Sequence, residues 1–118
     1  MGTDEPDYIR VLVESLEILA ADPCVQIARI DRPGLNTDDL AEDHIVPARN
    51  AAWMCEQGLI GPAVKERAER IDAIFTEMSG LRNAQRWTYQ ALATDPGWID
   101  VRTLAREALA LLQSERSA

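Results

Sequence analysis

Residues 62–80 read PAVKERAERIDAIFTEMSG, and this stretch is the strongest indicator of the fold class. Its apolar residues step by four, three, four and three positions, which is the spacing of one face of an α-helix. They are Val64, Ala68, Ile71, Phe75 and Met78. Pro62 suits a first helical turn, where no amide hydrogen is needed, and Gly80 suits the position after a helix end. We therefore predict a helix with one buried face over this stretch.

The same spacing occurs near both ends of the chain. In the N-terminal stretch YIRVLVESLEILAA the repeating residues are Tyr8, Leu12, Leu16 and Leu19. Towards the C-terminus they are Trp98, Val101, Ala105, Ala108 and Leu112. Each stripe predicts a helix whose apolar face packs into a core.

Turn and capping residues divide the middle of the chain. The clearest loop is 31–36, DRPGLN, after which we predict that Thr37 caps a helix. Pro47 either kinks that helix or starts the next one, because proline removes a hydrogen-bond donor. Asn83 and Asp95 are predicted to cap two later helices. Residues 23–30 fit either a short helix or an extended segment, and the pattern does not separate the two.

These elements predict an all-α protein, a compact bundle of five or six short helices with short connections. A chain of 118 residues is long enough for one such domain and short for two. We predict a single domain over residues 1–118, in which residues 1–5 and 114–118 fray.

The formal charge is concentrated in the first third of the chain. Residues 1–45 contain 11 acidic side chains and 3 arginines, so this part carries the whole net charge of −8. Residues 46–118 contain 9 acidic and 9 basic side chains. Such an asymmetry attracts basic partners and repels phosphate backbones, which disfavours a nucleic-acid partner.

Nothing in the sequence indicates export or membrane insertion. The stretch MGTDEPDYIR is acidic and lacks the basic and apolar regions of a signal peptide, and no apolar run approaches the ~20 residues that span a bilayer. Cys24 and Cys55 are too few for a disulfide framework. We therefore expect a cytoplasmic protein with reduced thiols and no membrane partner.

An acidic cluster opens the helix that is predicted after the loop. Its members are Asp38, Asp39, Glu42 and Asp43. Because several of them lie three or four positions apart, they can share one helix face. We interpret the cluster as a docking surface for a basic protein. The simpler alternative is a solvated helix start whose carboxylates complement the helix dipole.

Aromatic residues are the predicted apolar anchors of this binding surface. Trp87 and Tyr89 lie in a segment with two arginines, Arg82 and Arg86, and tryptophan and tyrosine are enriched in binding hot spots. For Trp98, which follows Pro96 and Gly97, we predict packing at a helix start instead.

Motifs for catalysis, metal binding and phosphate binding are missing from the sequence. It contains no GxGxxG, GxxxxGK[ST], GxSxG, CxxC or HExxH pattern. His44 is the only histidine, and a catalytic role would require a nucleophile and an orienting partner beside it. We predict that His44 is a polar residue near a helix end, and that the protein has no enzymatic activity, no cofactor and no metal site.

Residues 40–60, LAEDHIVPARNAAWMCEQGLI, resemble the helix-turn-helix of excisionase-like and MerR-type DNA-binding proteins. The shared features are a Leu-Ala start, a Pro-x-Arg recognition helix, an aromatic residue and a closing Gly-Leu. The resemblance implies core positions for Leu40, Ala41, Val46 and Trp53. It also implies that Arg49 and Asn50 face the DNA groove. The segment departs from the pattern in its turn, which is one residue short and lacks the glycine.

Together these observations favour a small acidic module that binds a protein partner with a basic surface, such as an inhibitor, an immunity-type protein or an accessory factor. Two alternatives remain open, a helix-turn-helix DNA-binding regulator over residues 40–60 and a bundle that binds a small ligand between its helices. Homodimerisation through the Val64–Met78 or the Trp98–Leu112 stripe is a further prediction.

Overall fold

A computed structural model describes residues 4–117, with side chains for residues 7–116. This part of the chain contains six α-helices, one 3₁₀ helix and no β-strand. The elements are α1 (Asp4–Ala20), α2 (Pro23–Ile30), α3 (Thr37–Glu56), α4 (Pro62–Met78), the 3₁₀ segment (Leu81–Trp87), α5 (Tyr89–Thr94) and α6 (Pro96–Ser117). The all-α prediction is confirmed, and the number of helices is slightly above the predicted five or six.

The long helices α1, α3, α4 and α6 form the bundle, and α6 packs against both α1 and α4. The Val64–Met78 and Trp98–Leu112 stripes lie inside the core, as does the N-terminal stripe apart from Tyr8. Because both stripes proposed for a homodimer are occupied within the chain, a dimer through either one would have to open the bundle. Homodimerisation itself stays a prediction.

The start of α3 is set by Asn36 and not by Thr37. The Asn36 side chain accepts the backbone N–H of Asp38 at 2.8 Å, and the Asp39 carboxylate accepts the backbone N–H of Asn36 at 2.7 Å. This reciprocal pair satisfies two backbone donors at the helix end. Thr37 is buried, and its hydroxyl donates to the backbone oxygen of Trp87. The prediction that Thr37 caps α3 is wrong. Its hydroxyl bonds a residue 50 positions later in the chain, and a local sequence pattern cannot show such a contact.

Helix α3 runs without a break through Pro47 to Glu56. The proline removes one hydrogen bond from the helix interior, and its ring is buried against the bundle, which helps to offset that loss. Residues 40–56 are therefore one helix with no turn, so the helix-turn-helix geometry implied by the resemblance is wrong. Val46 and Trp53, expected in the core, are 61% and 41% exposed.

The structure also shows the conformation of residues 23–30 and the cap of α5. Residues 23–30 form the helix α2. Asn83 lies inside the 3₁₀ segment, where its amide donates to the backbone oxygens of Glu77 and Ser79. The cap of α5 is instead Thr88, whose hydroxyl accepts the N–H of Ala91 at 3.1 Å.

The two ends of the described chain are helical at Asp4 and at Ser117. The predicted fraying of residues 1–5 and 114–118 falls partly outside the described residues and stays a prediction. Cys24 and Cys55 are free thiols. Within residues 4–117 no helix combines the length and the apolar composition needed to cross a membrane.

Candidate functional site

A groove of about 570 Å³ lies between α3, α4 and the 3₁₀ segment, and we call it the α3/α4 groove. Its buried and half-buried lining residues are apolar apart from Asp72: they are Ala41, Ile45, Phe75 and Trp87. The charged residues of the lining are Asp38, Glu42, Arg49 and Asp72. Three carboxylates against one guanidinium make the groove acidic, and an acidic groove attracts cationic side chains.

Helix α3 provides one wall of the groove through a single helical face. Successive lining residues on that face are three or four positions apart, except for one pair of sequence neighbours. They are Asp38, Ala41, Glu42, Ile45 and Arg49. The capping box at Asn36 fixes where α3 begins, and it places Asp38 in the first turn, where the helix dipole favours a carboxylate.

An aromatic cluster supports the floor of the groove. The ring centroid of Trp87 lies 6.1 Å from that of Phe75 and 5.5 Å from that of Trp98. The indole N–H of Trp87 donates to the backbone oxygen of Met78 at 2.8 Å, and that of Trp98 donates to the backbone oxygen of Arg86 at 2.8 Å. Trp87 is therefore a rigid, half-buried surface, whereas Trp98 is buried at a helix start, as predicted.

An ion pair holds the 3₁₀ segment against the start of α6. The Arg86 guanidinium donates to the two carboxylate oxygens of Asp95 at 2.9 and 3.0 Å, and this hydrogen bonding lowers the pKa of Asp95 below its usual value of 3.8. Asp95 also accepts the backbone N–H of Gly97 at 2.8 Å, which confirms its predicted role as a cap. A Cβ on Gly97 would lie 2.5 Å from the Met78 sulfur, so a larger residue at this position would require the Met78 side chain to move.

Leu81 lies in the lining of the groove and is 98% exposed. It directly follows Gly80, whose φ of +106° turns the chain out of α4. A leucine in this position contributes almost nothing to the core. A fully exposed large apolar side chain beside a groove is a typical contact residue for a partner.

Three of the six predicted binding residues line the α3/α4 groove: Asp38, Glu42 and Trp87. Sequence reasoning missed Asp72 and Leu81. Asp72 lies on α4, 29 positions or more from the acidic cluster, and only the packing of α3 on α4 brings it there. The apolar character of Leu81 next to Gly80 was visible in the sequence, but its exposure was not.

The other three predicted residues lie elsewhere. Asp39 is half-buried and completes the capping box of α3. Asp43 faces a different groove, between α1, α2 and α3. Tyr89 is an exposed residue of α5 outside the lining of the α3/α4 groove. The acidic cluster is therefore divided among a cap and two faces of α3.

His44 lies about two turns inside α3 and is completely buried, so the prediction that it is near a helix end is wrong. Its Nε2 lies 3.0 Å from the backbone oxygen of Ala68, and its Nδ1 lies 3.2 Å from the hydroxyl of Ser15. The ring thus joins α1, α3 and α4. The sequence alone does not show these contacts, because the bonded residues are 24 and 29 positions away from His44. Burial lowers the pKa of His44 below 6.5, although the Ala68 hydrogen bond and the charge of Asp72 act in the opposite direction. Among the described side chains no cluster of three or more His, Cys, Asp or Glu could hold a metal ion.

Comparison with protein-family models, with curated proteins and with solved structures finds no match to this chain.

Proposed function

We propose that this protein is an interaction module that binds a basic protein partner through the α3/α4 groove and acts by binding instead of catalysis. The observation that carries the proposal is the convergence of Asp38, Glu42 and Asp72 on one apolar groove. Lysine or arginine side chains of the partner pair with these carboxylates. The partner's apolar side chains cover Trp87 and the exposed Leu81, which supplies the buried contact that a stable complex needs.

The charge of the whole chain supports the same partner. A net charge of −8, all of it within residues 1–45, produces a negative field that accelerates encounter with a basic protein. The two free thiols, Cys24 and Cys55, suit a reducing compartment, and we place the protein in the cytoplasm.

The test begins by identifying the partner at the groove itself. A photo-crosslinking amino acid replaces Leu81, and the cross-linked protein is identified by mass spectrometry from living host cells. Binding of the purified pair is then measured with Asp38→Lys combined with Glu42→Lys. We expect the association rate to fall at least about tenfold at low salt, because electrostatic steering acts mainly on association. The difference in rate between the variant and the unaltered protein should shrink as salt rises, because salt screens these charges.

The matched control is Glu56→Lys combined with Glu66→Lys. These two exposed carboxylates lie outside the groove lining, and their reversal changes the net charge by the same amount. Circular dichroism checks that both double variants remain helical. If the control slows association as much as the groove variant does, the groove is not the docking site.

The volume of the groove supports a second candidate, the binding of a small organic cation. About 570 Å³ lies within the range of roughly 300–1,000 Å³ for small-molecule pockets. The probe is tyramine, an aromatic amine, titrated into ¹⁵N-labelled protein. Amide shifts confined to residues 38–49 and 72–87, absent with its uncharged analogue 4-ethylphenol, would support this candidate. The lack of any such shifts at millimolar tyramine would remove it.

A further inference from the structure

Five apolar side chains remain exposed on the surface formed by α1, α2 and the side of α3 that faces α1. They are Tyr8, Val11, Val25, Val46 and Trp53, with exposed fractions between 39 and 61%. Single exposed apolar residues are ordinary, whereas a contiguous group marks an interaction surface. We call this surface the α1/α3 face.

The α1/α3 face is contiguous because its residues share two grooves and a ring contact. Val11 lines a groove of about 600 Å³ together with Val25, and also a groove of about 290 Å³ together with Tyr8 and Val46. The rings of Tyr8 and Trp53 have centroids 5.1 Å apart. The two grooves follow α1 from Asp7 to its end and reach Ala21 just beyond it, a distance of about 20 Å at the rise of an α-helix.

Carboxylates flank this apolar strip. The charged residues that line the two grooves are Asp7, Glu14, Glu17, Asp43 and Arg29. Arg10 lies 3.3 Å from Asp7 and 4.0 Å from Glu14, but all three side chains are more than 60% exposed, so these pairs are weak. The face therefore combines an apolar centre with an acidic border.

We propose that the α1/α3 face is a second docking surface, separate from the α3/α4 groove, and that its occupant is a basic amphipathic helix of a partner protein. A helix of about 14 residues matches the 20 Å length of the joined grooves. Its apolar stripe covers Val11, Val25 and Val46, and its lysines or arginines meet Glu14, Glu17 and Asp43. This pattern is the one that helix-binding grooves use.

Charge selects this occupant over the alternatives. A second copy of the chain would bring the same acidic border against itself, and like charges across an interface oppose association. Nucleic acid and anionic lipid surfaces are repelled for the same reason.

The experiment uses ¹⁵N-labelled full-length protein and a defined probe. The probe is a 14-residue helical peptide of leucine and lysine, with leucine at positions i, i+3, i+4 and i+7, and its control contains glutamate in place of lysine. We expect the lysine peptide to shift amides within residues 8–29 and 43–54, and to do so equally in the Asp38→Lys, Glu42→Lys variant, in which the α3/α4 groove no longer attracts a basic peptide. The glutamate peptide should not bind.

Matched variants test whether the apolar strip carries the binding. Val11→Gln combined with Val46→Gln should weaken binding of the lysine peptide at least about tenfold, because two partly exposed valines lose apolar burial. Ile99→Gln on α6 is the control, since Ile99 is similarly exposed on another surface. Leu81→Gln should also bind normally, and this keeps a failure of the α3/α4 groove distinguishable from a failure of the α1/α3 face.

Three outcomes would overturn the proposal. One is shifts that spread over the whole surface, and another is equal binding of the glutamate peptide. The third is sedimentation of the free protein as a dimer that the valine double variant dissociates, which would assign the face to a second copy.

Discussion

At the scale of single residues, His44 shows how burial and hydrogen bonding act on one ring. The Nε2 atom faces a carbonyl and therefore carries a hydrogen, so in the neutral ring Nδ1 is an acceptor that competes with the Leu12 backbone oxygen for the one hydrogen of the Ser15 hydroxyl. That hydroxyl also lies 2.9 Å from the backbone oxygen of Leu12. Protonation of Nδ1 would let the ring donate to Ser15 and Ser15 donate to Leu12, so the local bonds accommodate a charged ring. Desolvation opposes the charge and is the dominant influence on the pKa.

We predict that the free energy of unfolding falls when the protein is acidified from about pH 6.5. Because the folded pKa of His44 is below the ordinary value of 6.5, the unfolded chain binds a proton in this range before the folded chain does. The contribution of the neutral His44 ring to the free energy of unfolding is fully present above pH 6.5. It is lost as the pH falls from 6.5 towards the folded pKa. Urea unfolding at half-unit steps between pH 7.5 and pH 5 measures the slope.

The control for this prediction is His44→Gln, which removes the titrating group. The substitution should lower the free energy of unfolding by about 1–3 kcal/mol, since it disturbs buried hydrogen bonds. Its stability should nevertheless be flat between pH 7.5 and pH 5. An equally steep slope in this variant would show that another group causes the acid sensitivity.

At the scale of helices, local patterns predicted the apolar stripes better than the helix ends. The stripe from Val64 to Met78 is buried as its spacing indicated, because periodicity depends only on neighbouring residues. Pro47 predicted a kink or a break, yet burial of its ring within the bundle lets α3 continue. Thr37 was predicted as a cap and instead bonds Trp87. The errors occur where a distant contact competes with a local preference.

Asp95 provides a test of how the 3₁₀ segment is held. Asp95→Asn retains a side chain that can cap α6 but loses the ion pair with Arg86, whereas Asp95→Ala loses both. We expect the asparagine variant to lose about 1 kcal/mol of unfolding free energy and the alanine variant about 2 kcal/mol. Chemical denaturation of both variants gives the values. Equal losses would mean that the cap contributes nothing beyond the ion pair.

At the scale of the whole molecule, Arg102 connects segments that are far apart in sequence. From α6 its guanidinium donates to the backbone oxygens of Ala21 and Leu92 and to the side-chain oxygen of Gln26, at distances of 2.8 to 3.1 Å. Gln26 is itself buried and donates to the last carbonyls of α1 through its amide. Burial lowers the pKa of Arg102, although its ordinary value is high enough that the guanidinium stays charged.

We predict that Arg102→Lys destabilises the fold by about 2 kcal/mol, because an ammonium cannot reach three acceptors in the geometry of a guanidinium. Arg106→Lys is the matched control. Arg106 also bonds the end of α1 and Asp22, but its side chain is 55% exposed, so we expect a loss of at most about 0.5–1 kcal/mol. Urea unfolding of both variants measures the difference, and similar losses would contradict the central role of Arg102.

The candidate sites show the limit of prediction from sequence at this scale. The acidic cluster was visible as a run of carboxylates, but the sequence could not show that Asp38 and Asp43 belong to different grooves. That division follows from how α1 and α4 pack on the two sides of α3. Leu81 and Val46 likewise look like ordinary apolar residues until the fold leaves them exposed.

The position of α6 has a consequence for how the protein is made. This helix packs on α1 and α4, and its arginines bond partners 76 to 86 positions earlier in the chain. On the ribosome, α1 to α4 emerge first, with the apolar stripes that α6 later covers still open to water. At about 5–20 residues per second the nascent chain waits for seconds in that state. We therefore expect folding to be completed only after α6 has been synthesised, and chaperones that recognise apolar segments to bind the chain before then.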